Sequence, residues 1–168
     1  MDTITYVRHQ VAATRRLLDA VIDGLEDEHL SWQPPGTANQ VGVTWLHLLT
    51  AEDGFVQSIL LGGDRLWDSG GWESRLASRV PARGESWDDV VHSALTVTGL
   101  QEYGAAVRAA TDRYLDGLTA ADLDGEVPFS GAPTPRGVVL SRFLAHTTGH
   151  VGEIAALKGV QGIKGLPF

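Results

Sequence analysis

The sequence predicts an all-α fold, a single-domain four-helix bundle over residues 1–168. Four long stretches carry apolar residues at the three- and four-residue spacing of amphipathic helices. No stretch has the alternating pattern of a convincing strand. Two long connectors, rather than tight turns, separate the predicted helices and allow a crossover topology. We find no internal repeat and no second domain.

The first two helices are predicted on either side of a proline-rich connector. The first covers about residues 3–25 and has Asp2 or Thr3 as its cap. A connector over residues 24–39 contains Pro-Pro-Gly-Thr, which stops regular structure. The second helix is predicted over residues 40–61.

Residues 62–86 form the least regular part of the sequence. Four early glycines, followed by Trp67 and Trp72, indicate a compact, ordered loop. Such a loop could form a wall or lid over a pocket, or simply cover the end of the bundle. A capping signal that begins at Ser86 predicts a short helix to about Ala94.

The second half of the chain contains two more predicted helices, separated by a connector. The third helix is predicted from residue 98 or 99 to residue 118, followed by a connector over residues 119–133. The fourth helix is predicted over residues 135–157, with Thr134 as cap and proline in its first turn. The glycine-containing tail, residues 159–168, should pack along the bundle or against another subunit.

The charge and the amino-acid composition of the chain disfavour several classes of partner and of chemistry. The formal net charge is −8 and the isoelectric point is about 5.1, which disfavours nucleic acid and an anionic membrane surface as partners. The chain has no cysteine, so a metal needs nitrogen or oxygen ligands and any reacting thiol must come from a substrate or cosubstrate. Because no apolar run is long enough to span a membrane and no signal pattern is present, we expect a cytoplasmic protein.

Two histidines four residues apart, His146 and His150, mark the predicted fourth helix. On a helix both imidazoles leave the same face one turn apart, which offers two nitrogen ligands to one transition metal. The pair could equally be two polar side chains, packed or solvated without a ligand. A third ligand on a facing helix would favour the metal.

His47, on the predicted second helix, is the candidate for that third ligand. It lies in a stripe with Thr44, Ala51 and Gly54, whose small side chains would leave room for a metal, water or ligand. The alternative is that these residues only allow close helix packing.

The other histidines are weaker candidates. His9 falls at the rim of the predicted core, and His92 is expected to be exposed. Glu26 and His29 have the Glu-x-x-His spacing of carboxylate-bridged metal bundles, but they fall in a predicted turn.

Three imidazoles on rigid helices can bind one divalent ion, zinc or nickel, and leave positions open for water or substrate. An open site favours catalysis over a purely structural ion. Glu52, on the inward stripe of the second helix, is the first candidate for a base or for a partner that orients an imidazole. Its alternative is a salt bridge to an arginine on a neighbouring helix. Glu153 is the second candidate, with a plain surface charge as its alternative.

These segments resemble a known family. Trp-Leu-His-Leu at residues 45–48 and His-Thr-Thr-Gly-His-Val-Gly-Glu-Ile at residues 146–154 are similar to motifs of the DinB/YfiT-like superfamily. The likeness covers essentially the whole chain, including the tail. It implies a DinB-like bundle with up-down-down-up topology, a metal bound by the three matching histidines and, as in many members, a homodimer.

The same resemblance implies a function. Characterised relatives include transferases and isomerases that use low-molecular-weight thiols such as mycothiol or bacillithiol, and others are described as metal-dependent hydrolases. The expectation is therefore a metal-dependent thiol S-transferase or hydrolase that acts on a small molecule. The alternative is a non-catalytic, stress-related metal-binding protein. Many members have arginine directly after the last histidine, where this chain has Val151 and so lacks a possible anion-binding group.

Overall fold

The computed structural model describes residues 1–81, 85–87 and 94–166, which form a mostly helical fold with a small antiparallel sheet. No helix among these residues has both the length and the apolar character needed to cross a membrane. The elements are helices α1 (Thr3–Ile22), α2 (Asp27–Ser31), α3 (Val41–Asp53), α4 (Leu66–Ser69), α5 (Trp72–Arg75), α6 (Val97–Gly117) and α7 (Arg136–Val160), with a π-helical segment (Gly54–Leu60), a 3-10 helix (Ala121–Asp124) and strands β1 (Glu126–Phe129) and β2 (Ala132–Pro135).

The first two predicted helices are confirmed with small shifts of their ends. α1 begins after Asp2, whose side chain accepts a hydrogen bond from the backbone N–H of Thr5 at 2.9 Å and so caps the helix. The second predicted helix is α3, which continues directly into the π-helical segment Gly54–Leu60. The connector between them contains the short helix α2.

The loop after the π-helical segment is compact, as predicted. The Trp67 and Trp72 side chains are buried, with ring centroids 5.4 and 5.1 Å from that of Tyr103 on α6. The Asp53 carboxylate accepts hydrogen bonds from the backbone N–H groups of Leu66 and Trp67 and from the Tyr103 hydroxyl, at 3.0, 2.9 and 2.8 Å. These contacts attach α4 and α5 to α3 and α6.

The third predicted helix is α6. The Thr96 side chain caps it by accepting a hydrogen bond from the backbone N–H of Gly99 at 3.1 Å. The short helix predicted before it, up to about Ala94, falls mainly on residues 88–93, which lie outside the described part of the chain together with His92.

The prediction of an all-α chain without strands is wrong over residues 126–135. There β1 and β2 pair in antiparallel fashion, with Phe129 opposite Ala132. Ser130 and Gly131 make the turn with φ angles of 52° and 85°, the left-handed backbone that a two-residue hairpin needs. Each strand is four residues long and contains proline, so no alternating apolar pattern marked it. Consequently α7 begins after Pro135 instead of including it.

The core lies between the long helices. α7 packs against α1 and α3, and α3 also packs against α6. The buried apolar side chains form two clusters, one around Trp45, Leu100 and Ile154 and the other around Val11, Leu115 and Phe143. Leu166 packs against the first cluster, so the tail folds back along its own chain, which is one of the two predicted positions.

A buried lysine joins α7 to the end of α1. The ammonium group of Lys158 donates hydrogen bonds to the carbonyl oxygens of Val21 and Asp23, at 2.6 and 2.9 Å. These contacts provide partners for carbonyls that a helix leaves free at its C-terminus. The contact fixes α7, the helix that carries two of the candidate ligands, relative to α1.

Candidate metal centre

Three histidines from two helices meet in one half-buried cluster. One ring nitrogen from each of His47, His146 and His150 lies within 4.8 Å of those of the other two. The Nε2 atoms of His47 and His146 are 3.1 Å apart, and the ring centroids of His146 and His150 are 4.5 Å apart. The sequence proposed these three residues as ligands, and no other group of three such ligands occurs in the described part of the chain.

Helical geometry explains the convergence. His146 and His150 are one turn apart on α7, so both rings project from the same side. Phe143 and Ile154, which are buried on α7, hold that side of the helix against the core. Because α3 packs directly on α7, His47 reaches the pair from the opposite helix.

The electrostatics of the cluster favour neutral rings. Burial, followed by the neighbouring His150 and His146, lowers the pKa of His47 from 6.5 to about 4. Burial, followed by His150, also lowers the pKa of His146 below its ordinary value. Both rings are therefore neutral at neutral pH, and a neutral imidazole has a nitrogen lone pair to donate to a metal.

Glu153 holds one of the three rings. Its Oε2 atom lies 2.7 Å from Nδ1 of His150, three residues earlier on α7. With Nδ1 donating to the carboxylate, Nε2 keeps the free lone pair, which is the usual support of a metal-binding histidine. In the sequence analysis Glu153 was the second candidate after Glu52. The position of Glu153 three residues after His150 was the signal for this contact.

Glu52 makes the contact that the sequence offered as its alternative. Its Oε1 atom lies 3.0 Å from Nη2 of Arg15 on α1 and accepts a hydrogen bond from the Thr111 hydroxyl at 2.7 Å. Arg15 also pairs with the Asp112 carboxylate. Glu52 is only 3% exposed and is not part of the histidine cluster. It links α1, α3 and α6.

The remaining described histidines lie elsewhere. His29 accepts a hydrogen bond at Nδ1 from the backbone N–H of Glu26 at 2.9 Å, as part of a capping box at the start of α2. The Glu-x-x-His spacing therefore belongs to the N-terminal cap of a helix. His9 is exposed on α1.

Two aromatic rings that the sequence did not identify flank the cluster. The Trp87 ring centroid is 5.1 Å from that of His47, and the Phe55 ring centroid is 6.0 Å from that of His146. Periodicity placed Phe55 on the apolar stripe of the second helix but did not predict its contact with His146, because side-chain directions in the π-helical segment depart from the α-helical period. Gly54, in the predicted small-residue stripe, has open space where a Cβ would lie.

The donor set fits a divalent metal. With metal–nitrogen bonds near 2.0–2.1 Å, neighbouring ligand atoms are about 3.3 Å apart on a tetrahedral ion and about 2.9 Å apart on an octahedral ion. The 3.1 Å between the Nε2 atoms of His47 and His146 is also a hydrogen-bonding distance for two neutral imidazoles, and the three candidate nitrogens all lie within 4.8 Å of one another. Three imidazoles without thiolate or carboxylate suit zinc, nickel and similar ions.

A model of the DinB superfamily matches residues 10–154, a span that includes all three histidines. The chain belongs to the DinB superfamily. This assignment confirms the resemblance seen in the sequence motifs. No curated protein matches this DinB-superfamily chain.

Solved structures share the fold. A conserved protein from Enterococcus faecalis has a TM-score of 0.79 and 18% identity, covering 95% of this chain and 97% of that one. A DinB-like protein from Bacillus cereus has a TM-score of 0.59 and 21% identity, covering 95% and 90%. A DinB-like protein from Bacillus subtilis has a TM-score of 0.54 and 17% identity, covering 98% and 95%. These likenesses show a common DinB-like fold.

Proposed function

We propose that His47, His146 and His150 bind one divalent ion, zinc or nickel, and that this DinB-superfamily protein is a metal-dependent enzyme. The observation that carries the proposal is the convergence of three half-buried imidazoles on two packed helices. Three protein ligands are one fewer than in a closed structural zinc site. A free coordination position can take water or substrate, which favours catalysis.

The proposed reaction class is thiol S-transfer or hydrolysis of a small molecule. A divalent ion in this position supplies Lewis acidity, which lowers the pKa of a water or thiol that binds to it. Because the chain has no cysteine, a thiol nucleophile would be a low-molecular-weight cosubstrate, such as the mycothiol or bacillithiol that the family resemblance implies.

The chain's own residues have distinct roles in this proposal. Glu153 accepts a hydrogen bond from the Nδ1–H of His150, which would direct the Nε2 atom of that ring toward the ion. Trp87 and Phe55 offer ring surfaces beside the cluster that would limit water and contact the carbon skeleton of a substrate. We give Glu52 a structural role, because its carboxylate is bonded to Arg15.

We also propose that the long helices follow the up-down-down-up order of a DinB-like four-helix bundle and that two chains form a homodimer. The homodimer is proposed from the family resemblance, since many DinB-like proteins are dimers. Light scattering should give twice the chain mass of 18.0 kDa. A mass of 18.0 kDa at all concentrations would contradict the dimer.

A substrate screen tests the enzyme proposal. Untagged protein loaded with zinc or nickel is offered small electrophiles and esters, with and without mycothiol or bacillithiol. We expect turnover by the wild type and by the control His9→Ala, and only background turnover by His47→Ala. A thiol requirement would identify a transferase, and turnover without thiol a hydrolase.

Two results would oppose the proposal. Equal turnover by His47→Ala would show that the histidine cluster is not the active site. Absence of any turnover, together with an X-ray absorption spectrum that shows four protein ligands around the ion, would support the non-catalytic alternative.

A further inference from the structure

A cavity of about 330 Å³ lies where the end of the π-helical segment, the end of α6 and the start of α7 meet. It is separate from the histidine cluster, because His146 follows Arg136 of the cavity by ten positions on α7, a distance of about 15 Å along the helix. The cavity has an apolar part and two arginines. Its apolar lining includes Leu60, Leu118 and the ring of Tyr114, and the arginines are Arg113 and Arg136.

Arg136 has an unfavourable position for a cation. It is the first residue of α7, where the positive end of the helix dipole opposes a positive side chain. The preceding Pro135 provides no side-chain cap, and the first turn contains no acidic residue. An anion beside this helix end would interact favourably with both the guanidinium group and the free backbone N–H groups.

The Arg136 guanidinium group lies directly against Gly125. The backbone N–H of Arg136 donates a hydrogen bond to the Gly125 carbonyl oxygen at 2.9 Å. The Nη1 atom lies so close to Gly125 that a Cβ at that position would collide with it. A larger residue at position 125 would therefore displace this guanidinium group.

Neither arginine of the cavity is paired. Within the described ranges no carboxylate comes within 4.0 Å of the guanidinium groups of Arg113 or Arg136, whereas Arg8, Arg15 and Arg108 all form ion pairs. Asp122 also lines the cavity, where its carboxylate accepts hydrogen bonds from the backbone N–H and hydroxyl of Thr119; these bonds and the positive charge of Arg136 lower the pKa of the Asp122 carboxyl. Two guanidinium groups without an ion pair to any described residue, an exposed one on Arg113 and a half-buried one on Arg136, thus line one cavity of a chain whose net charge is −8.

We propose that this cavity binds a small organic carboxylate, with the carboxylate group between Arg113 and Arg136 and the apolar body against Leu60, Leu118 and the Tyr114 ring. Guanidinium groups bind carboxylates through paired, charge-assisted hydrogen bonds. The buried leucines give the body of the ligand an apolar surface. The volume lies within the range of small-molecule sites.

Calorimetric titration of the full chain with benzoate, benzamide and inorganic phosphate tests the proposal. Benzoate should bind with a Kd on the order of 1 mM, as expected for a ligand of nine heavy atoms. Benzamide has the same shape without the charge, and phosphate has charge without an apolar body, so both should bind at least about 10-fold more weakly.

Variants locate the binding. Arg136→Gln, Arg113→Gln and Gly125→Ala should each weaken benzoate binding about 10-fold or more. Gly125 has a φ of −63°, which alanine adopts without strain, so the added Cβ displaces the Arg136 guanidinium group, with a second close approach of 3.2 Å to the Asp122 carbonyl oxygen. Arg142→Gln, an exposed arginine on the same helix, is the matched control and should bind normally.

Several results would overturn the proposal. The first is that benzoate shows no saturable binding, and the second is that benzamide or phosphate binds as tightly as benzoate. The third is that Arg113→Gln and Gly125→Ala, shown to be folded by circular dichroism, bind benzoate with the affinity of the wild type. Benzoate binding that disappears in His47→Ala would place the carboxylate at the histidine cluster and would also overturn it. Normal binding by His47→Ala supports the separate cavity and is independent of the enzyme proposal.

Discussion

Replacing Glu153 by glutamine removes the charge that faces Nδ1 of His150 and keeps an acceptor of the same shape. The contact is 2.7 Å long in the native chain. Loss of such a partner typically weakens metal binding 10- to 100-fold, or about 1.4 to 2.7 kcal/mol. The two side chains are 27% and 35% exposed, so solvent screens the charge and we expect about 10-fold for Glu153→Gln. Glu153→Ala, which removes the acceptor altogether, should lose more.

Competition with a chromophoric zinc chelator measures this change. Zinc is titrated into a mixture of chelator and metal-free protein, and the ratio of Kd values between variant and wild type is the readout. Glu73→Gln is the matched control, because it removes one negative charge from an exposed position on α5. We expect its affinity to remain within about twofold of the wild type, since exposed charges are screened.

The reasoning would be refuted if Glu153→Gln and Glu153→Ala both bound zinc as tightly as Glu73→Gln. Such a result would mean that the carboxylate does not orient His150. Equal losses in Glu153→Gln and Glu73→Gln would instead trace the effect to net charge, which also contradicts the assigned contact.

Three further predictions concern stability. Tyr103→Phe removes the hydrogen bond to the buried Asp53 carboxylate and should cost about 1.5–3 kcal/mol in urea denaturation, and an unchanged midpoint would contradict this. Glu52→Ala leaves Arg15 with the exposed Asp112 carboxylate and the Arg108 carbonyl oxygen, and should cost about 3 kcal/mol while zinc binding persists. Lost activity at unchanged stability would restore Glu52 as a catalytic candidate. The free energy of unfolding of metal-free protein should fall as pH drops from 6.5 to about 4, because the unfolded chain protonates His47 near 6.5 and the folded chain only near 4. A pH profile identical to that of His47→Asn would contradict the lowered pKa.

Apolar periodicity predicted the long helices because each buries one continuous stripe. α1, α6 and α7 lie within a few residues of their predicted ranges, and so does α3 when it is taken together with the π-helical segment that continues it. The hairpin at residues 126–135 was missed because its strands are short and rich in proline, so that turn geometry and pairing, and not an apolar pattern, define it. The π-helical segment likewise has no signature in spacing.

The histidine cluster was predictable because helical spacing fixes His146 and His150 relative to each other. The carboxylate that orients a histidine of the cluster could not be predicted in the same way. The position of Glu52 on an inward stripe is equally compatible with a place beside the metal ligands and with a buried ion pair. Only the path of α1 decides this, since it places Arg15 beside Glu52. Trp87 and Phe55 contact the cluster through tertiary packing that sequence spacing does not encode.

Metal content of untagged protein tests the central claim most directly. Elemental analysis after dialysis against zinc or nickel should give one ion per chain for the wild type and for His9→Ala, whose histidine is exposed on α1. His47→Ala and His150→Ala should retain almost none. Substoichiometric metal in the wild type that is unchanged in both variants would contradict the proposed metal centre.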